Sequence, residues 1–466
     1  MMKQIYRSTS LPVLSHRWKI TSTVQAPEKS PKVGTEELAG TATSRTVSHA
    51  EMHLNQEIHT HLPAQNPTLT RSQSASSLLT PAQRTLFLQL ATEPSEELTE
   101  AEAAVLRELK FHKSPVPANT WLFTDPNKDP DDVVTYTLGK QLQSEGFLYI
   151  KNVVPTLGDV NVRAQRAEMA KGVFNHFELP DVHVVVGQDY SMSAHQAKDY
   201  TKFLPRGDVL RAAPDDIHRD RLQDMKRSLE HSSDGLNMVV IAGMTDVNAL
   251  ITACPDLMRQ RVDSITIMGG VEPVRDKNGT VQPDTRSYNN ATDLDAARHL
   301  YRKAQDLGIP LRIVTKEAAY RTAVSPAFYE GLAKSGHPVG QYLRDVQKSA
   351  LKGLWEGIQA GLLPGLNNEW FGRTFMTNAE TPAEEKKEAH SFDDIWPKVT
   401  KLNLYDPLTL LASVRGAASM LFEPTKINTE GRSTVDLISE DNIKHPEKAR
   451  LLMSALAKSA LASQTK

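Results

Sequence analysis

Six short apolar runs, most of them followed by a polar loop and a stretch of helical periodicity, constrain this chain more than any other feature. They are Trp121-Leu122-Phe123, the run from Gly146-Phe147-Leu148-Tyr149-Ile150 through Val153-Val154, His183-Val184-Val185-Val186, Met238-Val239-Val240-Ile241, Ser264-Ile265-Thr266-Ile267-Met268 and Leu311-Arg312-Ile313-Val314. Helical periodicity marks 161–178, 246–258 and 292–307 between them. Strands that are apolar on both faces need cover on both sides, and alternating helices supply it. The pattern predicts an α/β fold, a doubly wound, mostly parallel sheet. In such sheets ligands bind outside the carboxyl ends of the strands. The polar residues directly after each run are therefore the ones to weigh for function.

The flanks are different. Residues 1–80 are rich in Ser, Thr, Gln, Pro and His and lack a sustained apolar period. Such a segment buries too little surface to offset the entropy of ordering, so a disordered leader is expected. Its His49, His53, His59 and His61 read as part of a solvated polar tract. The folded domain is expected over 81–466. Thr99-x-x-Glu102 is a capping box that opens a helix with Val105, Leu106 and Leu109 on one stripe. The alternation breaks at 340–400, where Leu343 to Ala360 reads as a long helix, so a helical insertion or cap is expected there. Residues 446–463 read as a closing amphipathic helix.

Composition excludes several classes. A chain of 466 residues, 39% of them hydrophobic, can bury a large core. A formal net charge of −2 gives no bulk attraction to nucleic acid or to an anionic membrane. The one cysteine, Cys254, rules out disulfide scaffolds and cysteine-based zinc sites, and its apolar helical surroundings read as core. No apolar run approaches the roughly 20 residues that span a bilayer. The N-terminus lacks the compact apolar stretch of a cleaved secretory signal.

The first run ends at Asp125-Pro126-Asn127-Lys128-Asp129-Pro130-Asp131-Asp132. Four carboxylates in eight residues repel one another, and a cation, ribose hydroxyls or raised pKa values must offset that repulsion. Hard oxygen donors of this kind suit Ca²⁺ or Mg²⁺. Other runs end at Thr156-Leu157-Gly158-Asp159, at Ala242-Gly243-Met244-Thr245-Asp246 and at Met268-Gly269-Gly270. Tyr288-Asn289-Asn290-Ala291-Thr292-Asp293 precedes a helix, with Thr292 or Asp293 as its N-cap. Asp406 lies late in the chain within the apolar frame Leu402-Asn403-Leu404-Tyr405-Asp406-Pro407-Leu408, where it needs a partner. Each of these taken singly is more often a cap or a turn; their joint order is what points to a site.

That order resembles the inosine–uridine nucleoside hydrolases over roughly residues 119–415. The family has Asp-x-Asp-Pro-Gly-x-Asp-Asp after its first strand, then a Gly-Asn, a Leu-Thr-Asn, a Met-Gly-Gly, a Glu-Phe-Asn before a helix and a late His-Asp. Within it, Phe123 to Asp132, the run Tyr288 to Asp293 and the Ser/Thr-rich leader resemble the XopQ/RipB family of type III effectors of plant-pathogenic bacteria. The resemblance implies a sheet of nucleoside-hydrolase type. It also implies a Ca²⁺ held by Asp125, Asp132, Asp406 and the Thr245 carbonyl, binding a ribosyl ligand. Asp125, or Asp129 in its place, would be the catalytic base, while Asp131, Asp159, Tyr288, Asn289 and Tyr405 would contact the substrate.

The departures from the family pattern bear on chemistry. Keeping Asp-Pro together makes the segment two residues longer than the family spacing and puts Phe123 at the first Asp. A gapless register instead puts Asp125 first and Asn127 at the base; we take the former as the expectation. Asp159 stands where the family has Asn, Ser287-Tyr288 replaces Glu-Phe, and Tyr405 replaces a His that serves the leaving base. A phenol of ordinary pKa near 10 is a poor acid, and losing such a group costs about 10²–10⁴ in rate.

Three readings follow. The domain is an N-glycosidase for a nucleoside, nucleotide or cytokinin riboside; or a weak or inactive ribosyl or ADP-ribose-binding module acting through host proteins; or an interaction protein with a vestigial pocket. The effector resemblance implies type III secretion into the plant host cytoplasm or nucleus and a TIR-type NLR immune receptor as a partner. In the leader, Arg71-Ser72-Gln73-Ser74-Ala75-Ser76 resembles the pattern that 14-3-3 proteins recognise once Ser74 is phosphorylated, with Ser76 in place of the usual Pro.

Overall fold

A computed structural model describes residues 98–127, 129–188, 205–233, 235–363, 366–377, 391–427 and 433–462. The leader 1–80, with its four histidines and the Arg71/Ser74 motif, lies outside the described residues.

Eight strands form one sheet: β1 (Ala118–Thr124), β2 (Leu148–Pro155), β3 (His183–Val184), β4 (Leu236–Val240), β5 (Val262–Gly269), β6 (Leu311–Thr315), β7 (Thr425–Ile427) and β8 (Val435–Ile438). Their order is β3-β2-β1-β4-β5-β6-β8-β7. All neighbours are parallel except β7, which runs antiparallel to β8. Alternate side chains feed two apolar layers, as a strand's period of two requires. Leu122, Val153, Val239 and Val314 face one layer. Trp121, Phe123, Val154, Met238, Val240 and Ile267 face the other. The sheet is thus doubly wound, and its order reverses between β1 and β4, where the crevice for a ligand opens.

The N-terminal helix, Glu100–Phe111, begins with the expected capping box on Thr99 and Glu102. Glu102 also pairs with Lys458 at 3.0 Å, tying this helix to the closing helix Pro446–Ala462. The stretch 246–258 is two helices rather than one, Thr245–Ala253 and Pro255–Arg261. Pro255 disfavours the helical conformation for the residue before it, and Cys254 accordingly has φ −139° and ψ 59°. Cys254 is half-buried at this break rather than within the core. Burial raises its thiol pKa, which opposes a reactive thiolate.

Within 340–400 the structure shows a 22-residue helix, Pro338–Gln359, then Asn368–Phe375 and the short helix Phe392–Ile395; residues 378–390 lie outside the described set. The long helix buries Val339, Leu343, Val346 and Leu351 and packs on the helix Pro326–Lys334. The antiparallel edge of β8 and β7 is an addition to the six expected strands. Both are short, and β7 is mostly exposed, so neither leaves an apolar run in the sequence.

Candidate functional site

β1 ends at Thr124, and seven residues later the helix Asp131–Ser144 begins. The loop between them folds back on the helix's first turn. Asp132 Oδ1 accepts the Asp125 backbone N–H at 2.9 Å and the Thr124 hydroxyl. The Thr124 hydroxyl also meets Tyr136 Oη at 2.9 Å, one turn further along. Asp125, Asp131, Asp132 and Asp406 are all buried, Asp132 to 1% exposure, and Asp129 is half-buried. Carboxylate oxygens of Asp129, Asp131 and Asp132 lie within 4.8 Å of one another.

This concentration of charge has the electrostatic signature expected of it. Burial first, then Asp129 and Asp406, push the Asp131 carboxyl well above its usual range. Burial first, then Asp125 and Asp129, do the same to Asp132. The helix N-terminus favours negative charge by up to about 1 kcal/mol, which is too little to cancel several buried carboxylates. The phenols around the loop are shifted too. Burial foremost, with the nearby aspartates adding to it, holds Tyr136, Tyr329 and Tyr342 protonated far beyond neutral pH.

The loop is clamped from two sides. Arg166, wholly buried on the helix Val160–His176, donates through Nη1 to the Asp125 carbonyl at 2.5 Å and to the Pro126 carbonyl. Tyr342, on the long insertion helix, donates to Asn127 Oδ1 at 2.7 Å. Asn127 is fully buried with φ +72°, a left-handed conformation that Asn tolerates better than most residues. Gly207 packs so close to it that a Cβ there would stand 2.5 Å from Asn127 Nδ2.

The remaining expected residues lie at the starts of other helices and in the loops before them. Tyr405 and Asp406 open the helix Tyr405–Ser413, and Tyr405 is near enough to Asp131 for that charge to raise its pKa, although burial is the larger cause. Thr245 follows β4 and donates its hydroxyl to Asp293 Oδ2 at 2.6 Å. Asp293, not Thr292, is the N-cap of the helix Leu294–Leu307, accepting from Ala296 N–H. Asn289 donates to the Met268 carbonyl at 3.2 Å, and Tyr288 is 45% exposed. Asp159 is exposed, and its Oδ1 accepts from Asn161 and Val162 N–H as a helix cap. The acidic loop, Asp406 and Tyr405 are thus brought together, while Asp159 is engaged in capping.

Comparison with known proteins fits this geometry. Residues 120–458 match the family described as inosine-uridine preferring nucleoside hydrolase. The chain belongs to that family. Two solved effector structures are much more similar to it than family membership requires. One is the type III effector protein XopQ complexed with adenosine diphosphate ribose: 62% identity, TM-score 0.73, 78% of this chain and 100% of that one covered. The other is the effector protein XOO4466: 61% identity, TM-score 0.72, with the same coverage. No match was found among curated proteins.

Several residues of this nucleoside hydrolase domain that shape the site are not evident from its strand-end motifs. Arg166 and Tyr342 hold the acidic loop, and Tyr329 lies beside Asp131 and Asp129. The available signal for Arg166 is a cation recurring at i and i+3, with Arg163, on a helix face shared with Ala167 and Ala170. Asp246 is also wholly buried, where burial pushes its pKa up to about 6 against the opposing pull of Gln188 N–H and Arg163.

Proposed function

We propose that the acidic loop after β1 binds the ribose of a ribosylated small molecule, and that the protein is an effector delivered into plant cells by type III secretion. The observation that carries the ribose reading is the buried pair Asp131 and Asp132, whose carboxyls are displaced upward by burial and by each other's neighbours. Such a cluster is stable when hydroxyl donors or a cation reach it. The XopQ relative complexed with adenosine diphosphate ribose supports a ribosyl ligand here, and its description as a type III effector supports the delivery route.

The donor set fits a hard divalent cation such as Ca²⁺. Asp129, Asp131 and Asp132 supply the tightest group of oxygens, with Asp125 and Asp406 alongside; the Thr245 carbonyl completes the set we assign. A bound ion would add a positive anchor for vicinal ribose hydroxyls. Asp131 accepts a hydrogen bond from one such hydroxyl, Asn289 and Tyr288 border the sugar, and Asp125 or Asp129 takes a proton from an attacking water.

Phe123 points into the opposite apolar layer and is fully buried there. The position two residues before Asp125 therefore supplies nothing to the loop. We infer the gapless register, with Asp125 first and Asn127 where the family has its base. A neutral amide at that position, already bonded to Tyr342, cannot accept a proton. Tyr405 is a weaker acid than free tyrosine, since burial and Tyr320 raise its pKa. Both features favour tight binding with slow cleavage of the N-glycosidic bond over efficient turnover.

The experiment is a titration of the protein with Ca²⁺ and a panel of nucleosides, nucleotides, cytokinin ribosides and ADP-ribose, following both binding and free base. Binding that Asp132→Ala and Asp125→Ala abolish, with base release slow or absent, is the expected result. No binding by any ribosyl compound would sink the proposal. For the leader we propose that phosphorylated Ser74, with Arg71, docks on 14-3-3 proteins. Ser74→Ala should abolish capture, and undiminished capture would refute it. An immune receptor of the TIR-type NLR class remains part of this proposal as the partner that the effector resemblance implies.

A further inference from the structure

The sheet ends at β3 on the side away from β7. The chain adds one more rung there. Val185 and His218 form a parallel bridge, in which the His218 N–H donates to the Val184 carbonyl and the Val186 N–H to the His218 carbonyl, each at 2.9 Å. Asn152 on β2 stands directly opposite His183 on β3. By alternation His183 shares the face of Val185, which is the face of Trp121 and Phe123. Asn152, His183 and His218 thus form a row across three chain segments. Asn152 lies three residues before the end of β2, so the row is about 10 Å back from the strand ends that border the acidic loop.

The two imidazoles are in contact, with centroids 3.7 Å apart and planes at 44°. His183 Nδ1 lies 2.6 Å from Asn152 Oδ1 and 3.4 Å from the Ser228 hydroxyl on the helix Arg221–Glu230. An amide oxygen only accepts, so Nδ1 carries the proton and Nε2 keeps its lone pair. Burial foremost, then His218, lowers the His183 pKa to about 4, and the ring is neutral at pH 7. His218 is exposed, and its ring nitrogens close no hydrogen bond among the described residues. The charges facing the pair are Asp224, Lys171 and Arg227. Lys171 Nζ is engaged by the Pro180 and Val182 carbonyls, and Arg227 by Asp220 and Asp224. Packing alone asks only for flat or apolar side chains at such an edge. It does not ask for two imidazoles with one held in a fixed tautomer.

Imidazole nitrogens suit Zn²⁺ and Cu²⁺, whereas Ca²⁺ prefers oxygen. Two nitrogens on one tetrahedral ion, at about 2.0–2.1 Å each, stand about 3.3 Å apart. The centroid separation permits that bite once exposed His218 turns a nitrogen toward the partner ring. His183 is already aimed, because an acceptor on the far nitrogen is what fixes the tautomer and orientation of a ligating imidazole.

We propose that His183 and His218 form a site for a borderline divalent transition-metal ion, Zn²⁺ or Cu²⁺, with Asn152 as its positioning residue and water in the remaining positions. The ion staples the segment around His218 to the edge of β3. The test is a calorimetric titration of the full chain with Zn²⁺, with Ca²⁺ in excess throughout to compete for the carboxylates. The histidines of the leader are common to all variants and cancel in the comparison. His183→Gln and His218→Gln should each take up one equivalent less Zn²⁺ than wild type. Asn152→Leu should keep the site but weaken it about 10- to 100-fold. Electron paramagnetic resonance with Cu²⁺ should show two imidazole nitrogens on this ion in wild type, and the signal should be lost or halved in either histidine variant. His218 is exposed, so its replacement leaves the fold intact and keeps the test decisive even if His183→Gln is poorly folded. Equal Zn²⁺ uptake by wild type and His218→Gln overturns the proposal, as does Zn²⁺ affinity that Asn152→Leu leaves unchanged.

Discussion

Replacing Asp132 by Asn should make the protein more stable and abolish the cation binding proposed for the acidic loop. Asp132 is 1% exposed, and its Oδ1 receives two donors, the Asp125 N–H and the Thr124 hydroxyl. An Asn side chain keeps that oxygen and both bonds. It removes one buried negative charge from a group that includes Asp125 and Asp129, the neighbours that help raise its pKa after burial. It also puts N–H donors where a second carboxylate oxygen stood. Relief of functional strain of this kind is worth about 1–2 kcal/mol. In a domain of this size that is a rise in melting temperature of roughly 1–3 °C without metal. In the wild type, Ca²⁺ at a hundredfold excess over its Kd should add about 2.7 kcal/mol, or roughly 3–4 °C; in Asp132→Asn most of that gain should vanish. Scanning calorimetry with chelator and then with Ca²⁺ measures both. A variant that melts below wild type in chelator would show that the carboxylates are not in conflict. An equal Ca²⁺ shift in both proteins would show that Asp132 is not a ligand.

Two further outcomes follow from the structure. Tyr342→Phe removes the 2.7 Å bond to buried Asn127 and should cost about 1–2 kcal/mol in urea unfolding; an unchanged midpoint would mean that the loop does not rely on the insertion. His183 has its pKa lowered to about 4 by burial first and by His218 second. Between that value and its unfolded value near 6.5 the unfolded chain binds more protons, so stability should fall as pH drops through this window. Because the ring is only half-buried, the loss is about 1–2 kcal/mol after discounting for solvent. His183→Gln should flatten the dependence between pH 6.5 and 4, and an undiminished slope would assign it elsewhere.

The parts of the fold that sequence shows are those in which local pattern and burial agree. Trp121-Leu122-Phe123 and Met238-Val239-Val240 are covered on both faces, so every position is apolar and the strand is visible. Thr425–Ile427 sits at an exposed edge, where nothing demands an apolar residue, and it is invisible for that reason. The site divides in the same way. The acidic run stands out because its charges are contiguous. Arg166 and Tyr342 do not, since their roles depend on helices that approach the loop from 34 and 210 positions further along the chain than Asp132. The register we propose for the loop likewise rests on tertiary context: Phe123 belongs to a packed layer, which the order of letters alone does not reveal.

The hydrogen bond between Tyr342 and Asn127 joins the insertion helix to the acidic loop, and that joint has a thermodynamic reading. A protein that grips the outer face of Pro338–Gln359 and shifts it would alter how the loop holds its ligand. By linkage, the ligand would alter that protein's affinity by the same factor. The insertion would in this way let a partner sense whether the pocket is full.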